Sequence, residues 1–249
     1  MEGNRQRISA YYEVALTLLS RIEKTQGEVL DQAAEAIFAS LKEGGVLHVF
    51  GSGHSHALAE EVFHRAGGLV PVNAILEDFL TPHFPPAMSG KFERLSGVAT
   101  ILLDYYDPRP GEVLMIASNS GINPVPIEMA LLGKERGLFV VAVTSFAHSE
   151  RVPSRHPSGK KLYEVADVVI DNCGKAGDAA VAYPGLSEKV APTSSLAGIF
   201  IMNSLLCRVV ERFLASGLMP PVYLSANLPG GEEHNKALEE RYRGRIKGL

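Results

Sequence analysis

The feature that most constrains the fold is a series of short, almost wholly apolar runs that begins after residue 45. Patterns with helical spacing separate most of these runs, as in residues 55–65 and 124–136. A strand that is apolar on both sides is covered on both faces, and alternation of such strands with helices is typical of a parallel sheet. We therefore predict an α/β fold with an open five-stranded parallel sheet flanked by helices, similar to flavodoxin and Rossmann-type folds. The five predicted strands are residues 46–50, 69–72, 113–117, 138–143 and 167–170.

The first 44 residues predict a helical arm. Apolar side chains recur every three or four residues from Ile8 to Ile22 and again from Val29 to Leu41, which indicates two amphipathic helices. Thr25 and Glu28 fit a capping box at the start of the second helix. We divide the chain into this arm, residues 1–44, and a sheet domain with a helical tail, residues 45–249. The arm is either a packing appendage or a dimerisation surface.

Composition excludes several classes of protein. The chain has 24 basic and 28 acidic side chains, a net charge of −4 and no long basic run, which argues against a nucleic-acid partner. We find no apolar run of roughly 18–20 residues and no secretion signal, so we expect no membrane span and a cytoplasmic protein. Cys173 and Cys207 do not form a disulfide framework, and Cys207 is predicted to be buried.

Three loops that follow predicted strands carry the candidate site, because ligands bind at the carboxyl ends of strands in such sheets. Their sequences are GSGHS from residue 51, SNSG from residue 118 and TSS from residue 193. Asn123 is a predicted N-cap for the helix after the second loop, and the third loop opens a long helix over residues 193–214. Hydroxyls, free amides and the positive end of a helix dipole suit a phosphate. His56 replaces the last glycine of a dinucleotide fingerprint, and the second loop lacks the lysine of a nucleotide triphosphate loop.

In this order the three motifs resemble those of the SIS (sugar isomerase) domain family. The second and third are most similar to those of arabinose 5-phosphate isomerases, and the resemblance covers roughly residues 40–235. It implies binding of a small-molecule sugar phosphate without a cofactor, and assembly into homodimers or homotetramers with sites near the subunit interfaces. It also implies which residues contact the phosphate or the sugar hydroxyls: Ser55, Ser118, Asn119, Ser120, Asn123, Thr193, Ser194 and Ser195.

The residues that would carry out aldose–ketose isomerisation are less clearly marked. This reaction needs a base beside the carbonyl carbon and an acid at the carbonyl oxygen. We name four catalytic candidates, His54, Glu188, His234 and His83. The resembling isomerases place a histidine just before a Pro-Gly-Gly turn, where this chain has Leu228. The tail over residues 232–249 is either a solvated helix or a segment that brings His234 to a neighbouring subunit.

Two other functions fit the same motifs. A sensor that binds a sugar phosphate without catalysis needs no acid or base. A lyase or etherase on a phosphorylated amino sugar needs a carboxylate beside the sugar, for which Glu60, Glu61 and Glu188 are candidates. His54 and His56, joined by His64 or His83, are weak evidence for zinc, and we predict no metal site.

Overall fold

Five parallel strands form the central sheet of the computed structural model, which describes residues 5–249. The strand order is β2-β1-β3-β4-β5, and every neighbouring pair is parallel. This arrangement confirms the predicted fold class. Residues 1–4 of the predicted arm and the side chain of Ile8 lie outside the described residues. The strands are β1 (Leu47–Gly51), β2 (Val72–Ile75), β3 (Val113–Ala117), β4 (Phe139–Thr144) and β5 (Val168–Asp171).

Helices cover both faces of this sheet. Alternate residues of each strand point to opposite faces, so Met115 packs in the layer under α1, α2, α3 and α8, whereas Ile116 packs in the layer under α5 and α6. A small antiparallel hairpin, β6 (Ala179–Val181) and β7 (Val190–Pro192), lies outside the main sheet. The helices are α1 (Arg5–Thr25), α2 (Gly27–Lys42), α3 (His56–Val62), α4 (Pro86–Phe92), α5 (Val98–Tyr106), α6 (Pro124–Glu135), α7 (Phe146–Ser149), α8 (Ser194–Ala215) and α9 (Gly231–Glu239).

The junction between α1 and α2 differs from the prediction. No capping box forms, because Thr25 Oγ1 donates to the carbonyl of Arg21 at 2.9 Å and α2 begins after Gln26 without a side-chain cap. Backbone hydrogen bonds run across the junction, from Gln26 N to Ile22 O and from Leu30 N to Gln26 O. The chain therefore passes from α1 into α2 with the Thr25 hydroxyl engaged by α1 rather than by the first turn of α2.

The predicted boundaries of one strand and one helix also differ from the structure. Strand β2 begins at Val72, so the predicted run over residues 69–72 lies mostly before it. Apolar residues at helical spacing over residues 92–103 also predict a helix from Phe92, but α4 ends at Phe92 and α5 begins only at Val98. Gly97, directly before α5, adopts a left-handed conformation (φ 89°) that no helix continues through.

Helix α8 bears on two sequence expectations, one about membrane spans and one about Cys207. Among residues 5–249 it is long and apolar enough to cross a membrane, by length and composition alone. It packs in the fold, however: the Phe213 ring meets the Phe38 ring of α2 edge-on at 5.0 Å, and Arg212 pairs with Asp31 of α2. One side of α8 therefore packs in the core of the fold. Cys207 is exposed rather than buried, because it lies on the outer side of α8 that faces away from α2.

The C-terminal tail is packed, so the expectation of a solvated tail was wrong. Leu238, Tyr242 and Ile246 recur every four residues and form a buried cluster with Val46 and Val70, which precede β1 and β2. The tail therefore covers the amino ends of the strands of its own sheet.

Candidate functional site

Members of all three motifs line one small pocket at the carboxyl edge of the sheet. Strands β1 and β3 are neighbours, so the loops that follow them meet, and the first turns of α8 close the pocket from one side. The polar residues lining it are Ser55, Ser118, Asn119, Asn172, Ser194 and Ser195, and the apolar ones are Leu58, Ala117, Val143 and Gly198.

A tight turn between β1 and α3 brings Ser55 to the pocket. Gly51 is required there, because a Cβ on this residue would lie 2.3 Å from the carbonyl oxygen of Ser55. The same turn exposes the imidazole of His54 to solvent. Ser52 Oγ donates to Glu93 Oε1 at 2.7 Å, which places a half-buried carboxylate next to the end of β1.

The loop after β3 supplies hydrogen-bond donors. Ser118 Oγ accepts from the amide of Gly121 at 3.2 Å, and Asn119 Oδ1 accepts from Asn172 Nδ2 at 2.8 Å. Asn172 is held in turn by the amide of Gly174, which donates to its Oδ1 at 2.9 Å. The hydroxyl proton of Ser118 and the amide Nδ2 of Asn119 have no acceptor among the described residues, so both are free to donate to a ligand.

A carboxylate already caps the first turn of α8. Asp178 Oδ1 accepts from the amides of Thr193 at 2.9 Å and of Ser194 at 2.8 Å. Asp178 Oδ2 accepts from the hydroxyl of Ser194 at 2.6 Å. The negative charge therefore sits at the positive end of the α8 dipole, where it stabilises the helix.

Three of the eight predicted ligand-binding residues do not line the pocket. Thr193 is buried, and its hydroxyl donates to Asp178 instead. Asn123 precedes α6 but makes no side-chain cap, because its Oδ1 accepts from Arg155 Nη1 at 2.8 Å. Ser120 is half-buried in the same loop as Ser118. The structure thus brings together Ser55, Ser118, Asn119, Ser194 and Ser195.

The four catalytic candidates do not converge on the pocket. His54 follows β1 and His83 follows β2, so both are near the carboxyl edge, and His83 Nε2 lies 3.2 Å from Asp78 Oδ1. Glu188 is exposed in the turn of the β6–β7 hairpin, where a hydrogen bond from Ser187 lowers the pKa of its carboxyl group. His234 is at the amino edge, with Nε2 3.0 Å from the carbonyl oxygen of Val222.

Sequence reasoning missed three polar residues of this region. Asn172 directly follows β5, and a search for polar residues immediately after every strand would have found it. Glu93 and Asp178 carry no comparable local signal, because loops bring them to Ser52 and Ser194 from 41 and 16 residues away.

Three of the four histidines considered for zinc, His56, His64 and His83, each lie beside a carboxylate. Within residues 5–249, no group of three or more histidine, cysteine, aspartate or glutamate side chains could hold an ion. His56 lies 3.5 Å from Glu60, and its ring is 6.1 Å from that of His83. His64 instead pairs with Glu239 of α9 at 3.2 Å.

A wider groove of about 780 Å³ opens at the opposite, amino edge of the sheet. Its walls are the end of α2 and the segments before β3 and β4, and none of the three motifs lies there. Because ligands of open parallel sheets bind at the carboxyl ends of the strands, we place the candidate site in the smaller pocket. Its volume of about 10 Å³ holds a group the size of one water molecule, so a larger ligand requires the surrounding loops to move apart.

A parallel α/β sheet with a hydroxyl-lined pocket at its carboxyl edge defines a protein that binds a small polar ligand. The family model described as SIS domain matches residues 10–145, and the chain belongs to the SIS domain family. It is 42% identical over 239 residues to a UPF0309 protein of Halalkalibacterium halodurans, covering 96% of each chain. It is 43% identical over 240 residues to a UPF0309 protein of Shouchella clausii, covering 96% of this chain and 98% of the relative.

Solved structures share the fold at low sequence identity. A phosphoheptose isomerase from Francisella tularensis matches with a TM-score of 0.54 and 16% identity, over 83% of this chain and 97% of that chain. The Vibrio vulnificus NanR protein complexed with ManNAc-6P matches with a TM-score of 0.51 and 14% identity, over 97% of this chain and 70% of that chain. The SIS fold therefore occurs in a phosphosugar isomerase and in a protein solved with a bound sugar phosphate.

Proposed function

We propose that this chain binds a sugar phosphate in the carboxyl-edge pocket and interconverts its aldose and ketose forms. The observation that carries the proposal is the meeting of all three motifs in that pocket, through Ser55, Ser118, Asn119, Ser194 and Ser195. The family membership and the phosphoheptose isomerase among the structural neighbours support it. We further propose a cytoplasmic enzyme that assembles as a homodimer or homotetramer, which light scattering of the purified protein tests.

Hydrogen-bond donors bind the phosphate in this proposal. No lysine or arginine of the described part of the chain lines the pocket, so attraction depends on the free protons of Ser118 and Asn119 and on the hydroxyls of Ser55 and Ser195. A phosphate oxygen accepts hydrogen bonds strongly, and charge-assisted bonds are stronger than neutral ones. Holding the phosphate fixes the carbonyl end of the substrate relative to the acid and base.

The reaction moves one proton between adjacent carbons. A base removes the proton from the carbon beside the carbonyl while an acid protonates the carbonyl oxygen, which gives an enediol. The former carbonyl carbon then takes a proton while the other hydroxyl of the enediol loses its proton and becomes the new carbonyl. His54, His83 and Glu93 are the acid–base candidates near the carboxyl edge. Glu188 reaches the pocket only if its exposed hairpin moves. His234 can act only in the pocket of a neighbouring subunit.

Ligand binding and proton exchange test the proposal in two stages. Thermal unfolding is first followed with arabinose 5-phosphate, N-acetylmannosamine 6-phosphate and a heptose 7-phosphate. A ligand at one hundred times its Kd adds about 2.7 kcal/mol of stability, which is easily detected. Proton NMR in deuterated water then follows the hydrogen beside the carbonyl of a stabilising sugar. Loss of that signal supports isomerisation, and the absence of any stabilising sugar phosphate contradicts the proposal.

A sensor without catalytic activity is the second candidate. The failure of the four catalytic candidates to converge on the pocket favours it, since binding alone needs no acid or base. Stabilisation by a sugar phosphate without hydrogen exchange would identify this function. A lyase or etherase has less support, because Glu60 faces His56 and Glu61 pairs with Arg65, so neither carboxylate lines the pocket.

A further inference from the structure

We infer that the pocket has a hydrogen-bond donor side and an acceptor side, and that Asp178 creates the acceptor side by fixing the hydroxyl of Ser194. A sugar phosphate would then bind with its phosphate toward Ser118 and Asn119 and with a sugar hydroxyl toward Ser194. This inference rests on the proposed function and adds the orientation of the ligand and a specificity-determining residue.

The acceptor side follows from the single proton of a serine hydroxyl. Ser194 donates that proton to Asp178 Oδ2 at 2.6 Å, and a carboxylate only accepts. The hydroxyl oxygen of Ser194 therefore offers only lone pairs to the pocket. A phosphate dianion offers only lone pairs as well, so the two repel each other, whereas a sugar hydroxyl donates to Ser194 without conflict.

The donor side lies across the pocket on the loop after β3. A chain of hydrogen bonds runs from the amide of Gly174 to Asn172 Oδ1 and from Asn172 Nδ2 to Asn119 Oδ1. Each carbonyl oxygen of these two side chains accepts one of these bonds, and Asn119 Nδ2 has no acceptor among the described residues, so it is available as a donor. Ser118 accepts from the amide of Gly121, so its proton is free for the ligand.

Asp178 also occupies the first two backbone donors at the start of α8. The amides of Thr193 and Ser194 both donate to Asp178 Oδ1, and the hydroxyl of Thr193 also donates to Asp178. The carboxylate adds a negative charge where the helix dipole would otherwise attract an anion. Asp178 holds this position with a left-handed backbone (φ 67°), a conformation that an aspartate adopts only at some cost.

Asp178→Asn tests the inference with little change in shape. Its Oδ1 can still accept from the two α8 amides, while its Nδ2 now donates to Ser194 and frees the serine proton for the pocket. We expect the Kd for the tightest of the three sugar phosphates to rise roughly tenfold, as for a hydrogen-bond mismatch in a pocket. The Kd for inorganic phosphate, measured by calorimetry, should stay the same or fall, because phosphate already uses the donor side and the variant removes a negative charge beside the pocket.

A double variant separates this role from simple capping. Ser194→Ala should weaken binding of the sugar phosphate as much as Asp178→Asn does. Adding Asp178→Asn to Ser194→Ala should cause no further loss of affinity. Any of three results would overturn the inference. The first is an equal loss of affinity for sugar phosphate and for inorganic phosphate, the second is additive losses of affinity in the double variant, and the third is an unchanged Kd for the sugar phosphate in Asp178→Asn. Failure of the unsubstituted protein to bind any sugar phosphate would instead remove the proposed function on which it rests.

Discussion

The imidazole of His48 and the carboxylate of Glu112 face each other in the interior, with Nε2 2.9 Å from Oε2. His48 is fully buried and Glu112 is 4% exposed. Glu112 also accepts from the amides of Val46 at 3.0 Å and Arg109 at 2.7 Å, and it pairs with Arg245 of the tail. Because an unpartnered buried carboxylate is costly, these contacts tie the starts of β1 and β3 to the C-terminal segment.

The free energy of unfolding should fall in acid as Glu112 becomes protonated. Burial raises the pKa of its carboxyl group, but the hydrogen bonds from His48 and from the amide of Arg109 and the charge of Arg245 lower it more, so the net pKa lies below its ordinary value of 4.5. A lowered folded-state pKa contributes stability that is present above the unfolded value and lost as pH falls through the folded one. Urea unfolding from pH 7 to pH 3 should show a shallower acid decline for Glu112→Gln than for the unsubstituted protein. Parallel curves would show that another group controls the decline.

The docked tail should contribute several kcal/mol to folding. Arg245→Ala leaves Glu112 without its guanidinium partner, and we expect a loss of about 2–4 kcal/mol in urea unfolding. Arg243→Ala is the matched control, because its pair with Glu240 is exposed and should change stability by less than about 0.5 kcal/mol. Equal effects of the two substitutions would contradict the packing of the tail on the sheet.

Gly51→Ala should disrupt the turn that carries Ser55. The added Cβ meets the backbone oxygen of Ser55, which cannot move without the loop, so we expect a loss of at least about 2 kcal/mol and weaker binding of sugar phosphate. Gly90→Ala is the control, because no atom lies within 4 Å of a Cβ there and α4 gains a better helix former. Thermal unfolding of both variants, with and without ligand, measures the loss of stability. A loss in Gly51→Ala alone assigns it to the turn, whereas an equal loss in Gly90→Ala assigns it to the replacement of a glycine.

Ser118 and Ser120 should differ in their effect on phosphate binding. Ser118 lines the pocket with a free proton, so Ser118→Ala should raise the Kd for a sugar phosphate by about 10- to 100-fold, as expected for a hydrogen bond to a charged group. Ser120 is in the same loop but does not line the pocket, and Ser120→Ala should change that Kd by less than about threefold. Calorimetry on both variants checks the assignment, and the reverse order would place the phosphate outside this pocket.

Local patterns predicted much of the fold. Strand β3 lies where the apolar run predicts it, and α6 begins at Pro124, as the sequence pattern indicates. Both predictions depend only on the residues of a short segment. The three motifs were assigned to loops at one edge of the sheet, and a parallel sheet necessarily brings such loops together. The predicted Asn123 cap failed because its partner, Arg155, comes from a distant loop.

The sequence by itself determined the parallel sheet, its flanking helices and the motif loops that meet at one edge, since each depends on the spacing of apolar and polar residues within a segment. Only the tertiary structure decided which hydroxyls face the pocket, that Asp178 caps α8, and that the tail covers the amino edge. These outcomes depend on contacts such as Arg245 with Glu112, 133 residues apart, and no local spacing encodes a contact between distant segments.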